Sequence, residues 1–422
     1  MINNKFFDFY FLIFFSIIPV SIIIGPAISL TTVLFLIISS IFILINKDHS
    51  FLFKEKTVIL LCGLYIYLIF NSLISIDFES SFKRNFGFIR YILLFIAINY
   101  FFLRFSNFNK IFKFWLIIFL IILSDVIYEY YFGYNFIGFT SNNSRRIVSF
   151  FKNEEVIGTF LNGFFFILIG FLLTNLQKKN KIEKLFIFSF LAISIICMII
   201  TGERSNTFKL FIGLIILFFL NDQLRLKYKI TLAISIIGVV IIFSNLFISS
   251  QQKNSLKDRF INQTIERLNN PEKRKNYIYF QLYDSGFKMF KEYPFFGVGN
   301  KNYRFKSCDW KENLTAPADK KYLQKYLCNT HPHQIYIEFL SEHGFLGTLI
   351  LLSILFYLIF KNYRNMLIKK NILQISCFSY LMTFFVPVLP SGSFFADFNA
   401  NFFWITFSIY YASNSETNIF KK

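Results

Sequence analysis

Residues 8–24, DFYFLIFFSIIPVSIII, and residues 27–45, AISLTTVLFLIISSIFILI, decide the class of fold. Apart from Asp8 at one edge, neither run carries a charge. Each has about the length that crosses the hydrocarbon core of a bilayer as a helix. Comparable blocks recur at 57–74, 88–103, 111–130, 157–176, 185–201, 207–220, 229–249, 335–360, 372–389 and 394–412. The 422 residues are 55% hydrophobic and only 16% charged, well below the charge content of a soluble domain. The 63 Phe residues read as the codon bias of an AT-rich genome, so a single Phe carries little functional information. These features predict an all-α integral membrane protein of about twelve transmembrane helices. Helices one to nine fall within 1–249, a large, partly helical loop fills 250–334 between helices nine and ten, and helices ten to twelve occupy 335–422. The start of the chain shows no small-x-small cleavage site and reads as an uncleaved first helix.

The net charge of +20 would point to nucleic acid in a soluble protein. Here the cations sit between apolar blocks, where they act as topology signals and contacts for anionic membrane lipids, and nucleic acid is excluded as a partner. With the first residues inside, the cytoplasmic turns hold Lys47, Lys54, Lys56, Arg104, Lys110 and Lys113. They also hold Lys178, Lys179, Lys181, Lys184, Arg225, Lys227 and Lys229, then Lys361, Arg364, Lys369, Lys370, Lys421 and Lys422. The opposite short turns hold Lys83, Arg84, Arg90, Arg145, Arg146, Lys152 and Arg204. That bias is roughly three to one in the direction of the positive-inside rule. Both termini are expected in the cytoplasm and the loop at 250–334 on the outer face.

Within that loop, apolar residues from Leu256 to Phe290 recur at three- and four-residue spacing, as in amphipathic helices near a membrane. Tyr293-Pro294 and Gly297-Val298-Gly299 then break the pattern, and the loop reads as a cap over the membrane part. Cys308 and Cys328 are the two cysteines of this segment, and an oxidising compartment favours their pairing. Cys62, Cys197 and Cys377 lie within spans as small hydrophobes.

Three of the four histidines stand in His331-Pro332-His333-Gln334-Ile335-Tyr336-Ile337-Glu338-Phe339-Leu340-Ser341-Glu342-His343-Gly344-Phe345-Leu346-Gly347, where the outer loop enters a long apolar helix. Imidazole exchanges protons near neutrality, so His333 at a helix mouth is placed to take one from a sugar hydroxyl; the bland alternative is an interfacial anchor. Glu342 is about 13 Å of helical rise beyond His333, too far for contact, and reads as structural. Asp125 and Glu129 share one helix face and mark a cavity or a buried pair, with Glu129 near the outer end. The sequence has no Asp-x-Asp motif, no phosphate-binding glycine loop and no zinc spacing. No metal and no cofactor are expected.

The run from His333 resembles the signature of O-antigen ligases and polymerases, which has a His-Asn pair entering a helix, then Glu-x-Gly and a further Gly. His333, Glu342, Gly344 and Gly347 fall on those positions, with Gln334 in place of Asn. Lys273-Arg274-Lys275-Asn276-Tyr277, followed by Tyr293-Pro294-Phe295-Phe296-Gly297-Val298-Gly299-Asn300, is similar to the same family's outer loop. Thr201-Gly202-Glu203-Arg204-Ser205 resembles its arginine turn, with Glu203 where Ser is usual. Arg146 with Phe150-Phe151-Lys152-Asn153 and Gly158 resembles a further segment, with Glu154 replacing Pro. The resemblance spans about 140–360 and implies a GT-C-like glycosyltransferase of the bacterial inner membrane whose site faces the periplasm. It implies an undecaprenyl-diphosphate-linked glycan as donor and lipid A–core, or another glycan, as acceptor. Planar guanidinium groups suit the diphosphate, so Arg204 and Arg274 are expected as clamps, with His333 as the base. Arg146, Asn300, His331 and Gln334 are expected to bind substrate, while Glu342, Gly344 and Gly347 are structural. An O-antigen polymerase or a protein O-oligosaccharyltransferase would share this donor half. A transporter or flippase would place broken helices and ionisable groups near mid-membrane in both halves, whereas the sharp signals here gather at one face.

Overall fold

A computed structural model describes residues 4–45, 47–104, 108–141, 146–152, 154–222, 256–271, 277–312 and 328–421, with single positions at 229, 238 and 254. Among the described residues every regular element is helical. In chain order they are α1 (Asn4–Ser16), α2 (Ile18–Ile24), α3 (Pro26–Ile45), α4 (Lys56–Leu73), α5 (Phe78–Gly87), α6 (Ile89–Arg104), α7 (Phe108–Phe132), α8 (Ile157–Leu173), α9 (Lys181–Ile200) and α10 (Arg204–Leu220). There follow α11 (Gln263–Asn269), α12 (Ile278–Glu292), α13 (Tyr303–Glu312), α14 (Ile335–Phe360), α15 (Tyr363–Lys369), α16 (Ile372–Phe384) and α17 (Asp397–Ala412).

Among the described residues six helical stretches, α3, α4, α5 with α6, α7, α9 and α14 with α15, are long and apolar enough to cross a membrane, or seven if a bent pair counts as one span. The apolar helices α8 and α16 are shorter. The expected count of twelve is not reached on these residues, and the block at 229–249 lies almost wholly outside them. Two boundaries need correction. The block at 8–24 is not one straight span: α1 and α2 meet at a 45° bend. Pro19 in the first turn of α2 cannot donate to the preceding turn and its ring crowds that turn's carbonyl. The block at 372–389 ends as helix at Phe384, and Pro387 and Pro390 carry the chain into a loop that reaches α17.

The centre of the bundle is α17, buried continuously from Ala400 to Ala412, which packs against α6, α8 and α16. Close approach along the seam of α8 and α16 depends on small residues. A Cβ on Gly170 would lie 2.7 Å from the Ser376 Cβ, and the Ser376 hydroxyl donates to the Phe166 carbonyl.

The turn that follows α12 docks onto a broken helix. Within α14, Gly344 has φ 65° and ψ −171°, so the helix interrupts itself and exposes main-chain groups. The turn at 294–299 uses them: Phe345 and Leu346 N–H donate to the Pro294 and Phe295 carbonyls (2.7 and 3.0 Å), and Val298 and Gly299 N–H donate to the Ser341 and Glu342 carbonyls (3.0 and 2.9 Å). Gly344 and Gly297 (φ 70°) allow this, because a Cβ on either would lie 2.3 Å from main-chain carbon of the other segment. Glu342 is buried and its carboxylate accepts the Tyr303 N–H at 3.2 Å, which holds α13 against α14. Cys308 and Cys328 form a disulfide that ties α13 to the chain leading into His331.

Candidate functional site

Helices α8, α10, α14 and α17 begin at one end of the bundle, where α16 ends, and they surround a cavity of about 460 Å³. That volume is within the range of small-molecule sites. Its charged and titratable lining comprises Arg146, Glu155, Glu203, Arg204, Lys209 and His333. Tyr277, Tyr279, Phe280 and Tyr283, from α12 and the turn before it, supply an aromatic wall, and Pro390, Ser391 and Gly392 from the loop before α17 complete the opposite side.

His333 reaches the cavity through its backbone. Its φ of 55° is left-handed, a conformation uncommon for residues with a side chain, and its carbonyl accepts the Ser391 N–H at 2.8 Å. The His331 ring lies 3.9 Å from the His333 ring, and Tyr279 meets the other side edge-on at 5.7 Å. Burial pushes the His333 imidazole below its usual value, opposed by a hydrogen bond with the Ser391 backbone. His331 is pushed down to about 3, first by burial and then by His333. Both rings are therefore neutral at pH 7.

The arginines are presented by two loops that hold one another. Ile147 N–H donates to the Thr201 carbonyl at 3.4 Å, which links the Arg146 segment to the turn before Arg204. Arg146 forms an ion pair with Glu155, while its buried Nε has no hydrogen-bond partner. Arg204 opens α10 and is half-buried. Glu203 lies beneath: its carboxylate accepts the Gly158 N–H (2.8 Å) and the Asn206 amide (2.6 Å), joining the first turns of α8 and α10. Burial raises the Glu203 carboxyl, and the Gly158 and Asn206 donors oppose it. The departure from Ser at this position thus supplies a working cross-brace.

Asp125 and Glu129 do not face the cavity. Glu129 accepts the Val148 and Ser149 N–H groups (3.1 and 2.6 Å), and Asp125 accepts the Phe136 N–H at 2.8 Å and the Ser149 hydroxyl. The pair is a buried clamp on the loop that carries Arg146.

Three expected substrate contacts also move. Gln334 is buried as the N-cap of α14, its Oε1 accepting the Ile337 N–H at 2.9 Å, because a helix start needs an acceptor there. Asn300 is buried away from the cavity, with its N–H on Asn71 Oδ1 (2.8 Å) and its amide on Asn85 Oδ1 (2.6 Å). His331 backs His333 and does not line the space. Arg274 lies outside the described residues.

Sequence reasoning missed the tyrosine wall, Lys209 and the loop at 385–396. That loop is stitched to the site by Tyr283 (to the Val388 carbonyl, 3.1 Å), Ser205 (to the Pro390 carbonyl) and Glu338, which accepts the Phe394 N–H at 3.0 Å and the Ser393 hydroxyl. Pro387, Pro390 and Gly392 were signal enough for a loop; its contacts with α10 and α12 had none. Among the described residues, no three His, Cys, Asp or Glu side chains gather as a metal site would need.

Residues 189–352 match the family model described as O-antigen ligase. The match supports the O-antigen ligase family for this chain. No curated protein matches the chain. The O-antigen ligase match covers Arg204 and His333 together with the docking turn and the broken helix, while Arg146 lies before it. It supports O-antigen ligase or polymerase-type activity, that of a membrane glycosyltransferase. With the apolar helices it makes the chain an integral membrane protein.

Proposed function

We propose that this chain is an O-antigen ligase. It transfers a glycan from undecaprenyl diphosphate to lipid A–core at the outer face of the bacterial inner membrane, with both termini in the cytoplasm. One observation carries the reading: His333 and Arg204, distant in sequence, line a single cavity. An acceptor hydroxyl attacks the anomeric carbon as the bond from that carbon to the phosphate oxygen breaks. The electron pair leaves on the diphosphate and the hydroxyl proton passes to His333. This single displacement inverts the anomeric centre and calls on no metal. Arg204 meets the charge that develops on the leaving oxygen, the kind of contact that weighs most in such a step. Arg146, half-neutralised by Glu155, is a weaker contact, and Arg274 is retained as a further clamp on its place in the loop motif. His331 acts as a positioning residue behind His333.

The test is transfer by the purified protein from a defined undecaprenyl-diphosphate glycan to lipid A–core. Substituting His333→Ala should cost about 10²- to 10⁴-fold in kcat with donor binding retained. Arg204→Ala should cost about 10²- to 10³-fold. Full transfer by His333→Ala would remove the base from the mechanism. A product in which glycan is added only to a second carrier-linked glycan would make the chain a polymerase.

A further inference from the structure

Lys209 lines the same cavity from α10 and is half-buried. It is four residues beyond Ser205, on the same helix face, and its Cα lies about 7.5 Å further along the axis than that of Arg204. Tyr380 and Thr383 of α16 line the cavity with it, and the rest of α10, from Leu210 to Leu220, is uncharged. An ammonium at that depth in an apolar helix is costly unless it meets an anion. The two carboxylates of the cavity wall are engaged elsewhere, Glu155 by Arg146 and Glu203 by Gly158 and Asn206. Asp222, just past the helix end, is about 20 Å of rise from Lys209, and no Asp or Glu follows it until Asp258. A lysine facing lipid would snorkel along its stem to the headgroups, but this one lines the same cavity as Arg204.

We propose that Lys209 binds the donor phosphate esterified to the polyprenol, one step deeper than the sugar-linked phosphate held by Arg204. The inference rests on the donor reading above. It separates two roles along one helix, both at the wall of one cavity. The lipid-side phosphate keeps the same charge in substrate, transition state and product, so a contact to it strengthens all three alike and sets KM. Charge grows on the sugar-side phosphate oxygen, so Arg204 sets kcat. The long flexible stem of Lys suits a point contact to one phosphate, as the planar fork of Arg suits the leaving group.

The experiment uses the full chain in nanodiscs of zwitterionic lipid, comparing wild type with Lys209→Met, Lys209→Gln and Lys209→Arg. Both neutral variants remove a cation from apolar surroundings, so folding, checked by thermal melt, is retained. The donor KM, and inhibition by undecaprenyl monophosphate and diphosphate, should each weaken by about tenfold or more, as expected for one charge-assisted contact. The value of kcat should stay within about threefold, and Lys209→Arg should restore binding. Unchanged inhibition by the monophosphate in Lys209→Met would overturn the assignment. So would an effect that appears only when phosphatidylglycerol is added, which would make Lys209 a headgroup contact. If the wild type transfers no glycan from the carrier, the functional reading fails separately. Thermal stabilisation by undecaprenyl monophosphate in wild type but not in Lys209→Met would then still uphold the anion site, and equal stabilisation of both would end it.

Discussion

A base must be unprotonated when its substrate arrives, and His333, in the proposed role, meets that condition through burial rather than through a partner carboxylate. Its neighbours are the His331 ring, the Tyr279 ring and the Ser391 backbone, none of them an anion that would favour imidazolium. The sign follows directly. Burial disfavours the charged ring, the folded value falls below the usual 6.5, and the base form persists as pH drops through 6.5. We expect kcat/KM to stay flat from pH 7 down past 6.5 and then fall with a single ionisation, since His331, at about 3, adds none in that window. A limb centred above 6.5 in the pH–rate profile would contradict the environment described. His333 and Arg204 were legible in the sequence because their chemistry is carried by side chains whose type and position are themselves the signal. Gln334 and Asn300 were not. An amide before a helix serves equally as a cap or as a ligand, and only the positions of the Ile337 N–H and Asn85 show which applies.

At the scale of elements, the clasp between the turn at 294–299 and the break in α14 explains why two motifs far apart in sequence both centre on glycine. Each removes a side chain where the other main chain must pass, and the four hydrogen bonds it permits hold the turn after α12 to α14. Gly344→Ala places a methyl 2.3 Å from the Phe295 carbonyl carbon at φ 65°, and a backbone neighbour cannot rotate aside. We expect a loss of about 2–4 kcal/mol, combining left-handed strain with overpacking. It should appear as a lower thermal midpoint and lost transfer, although the residue is outside the cavity. Gly63→Ala, in α4 with nothing within 4 Å of its Cβ, is the matched control and should be neutral or stabilising by up to about 1 kcal/mol. Equal melting of the two variants would show that the clasp contributes little. The pattern of breakers at 293–299 was readable as a turn, but its partner was not, because a helix that breaks at Gly344 keeps its apolar periodicity on both sides.

For the whole molecule, apolar block length located most of the helices but missed the 45° bend at α1 and α2 and the loop after Phe384, where prolines within apolar sequence alter geometry without altering hydropathy. Charge distribution carries a different message, which side each end faces. His333, Arg204 and Arg146 share one end of the bundle with the 133–141 turn that follows α7. Lys178 and Lys179 follow the far end of α8, Lys361 follows the far end of α14, and Lys369 and Lys370 end α15, which comes directly after it. Helix α8 alone, with 17 residues, separates the two by about 25 Å of rise, close to the thickness of a hydrocarbon core. The lysine-rich end should therefore be cytoplasmic and the cavity end outside. Single cysteines report this directly. A membrane-impermeant maleimide applied to intact cells with a permeabilised outer membrane should label Tyr134→Cys, which is 44% exposed in the cavity-side turn. It should leave Lys178→Cys, exposed in the opposite turn, unlabelled until the inner membrane is opened. The reverse pattern would put the cavity in the cytoplasm. An acceptor assembled and displayed on the outer face could then not reach His333, whatever the merit of its chemistry.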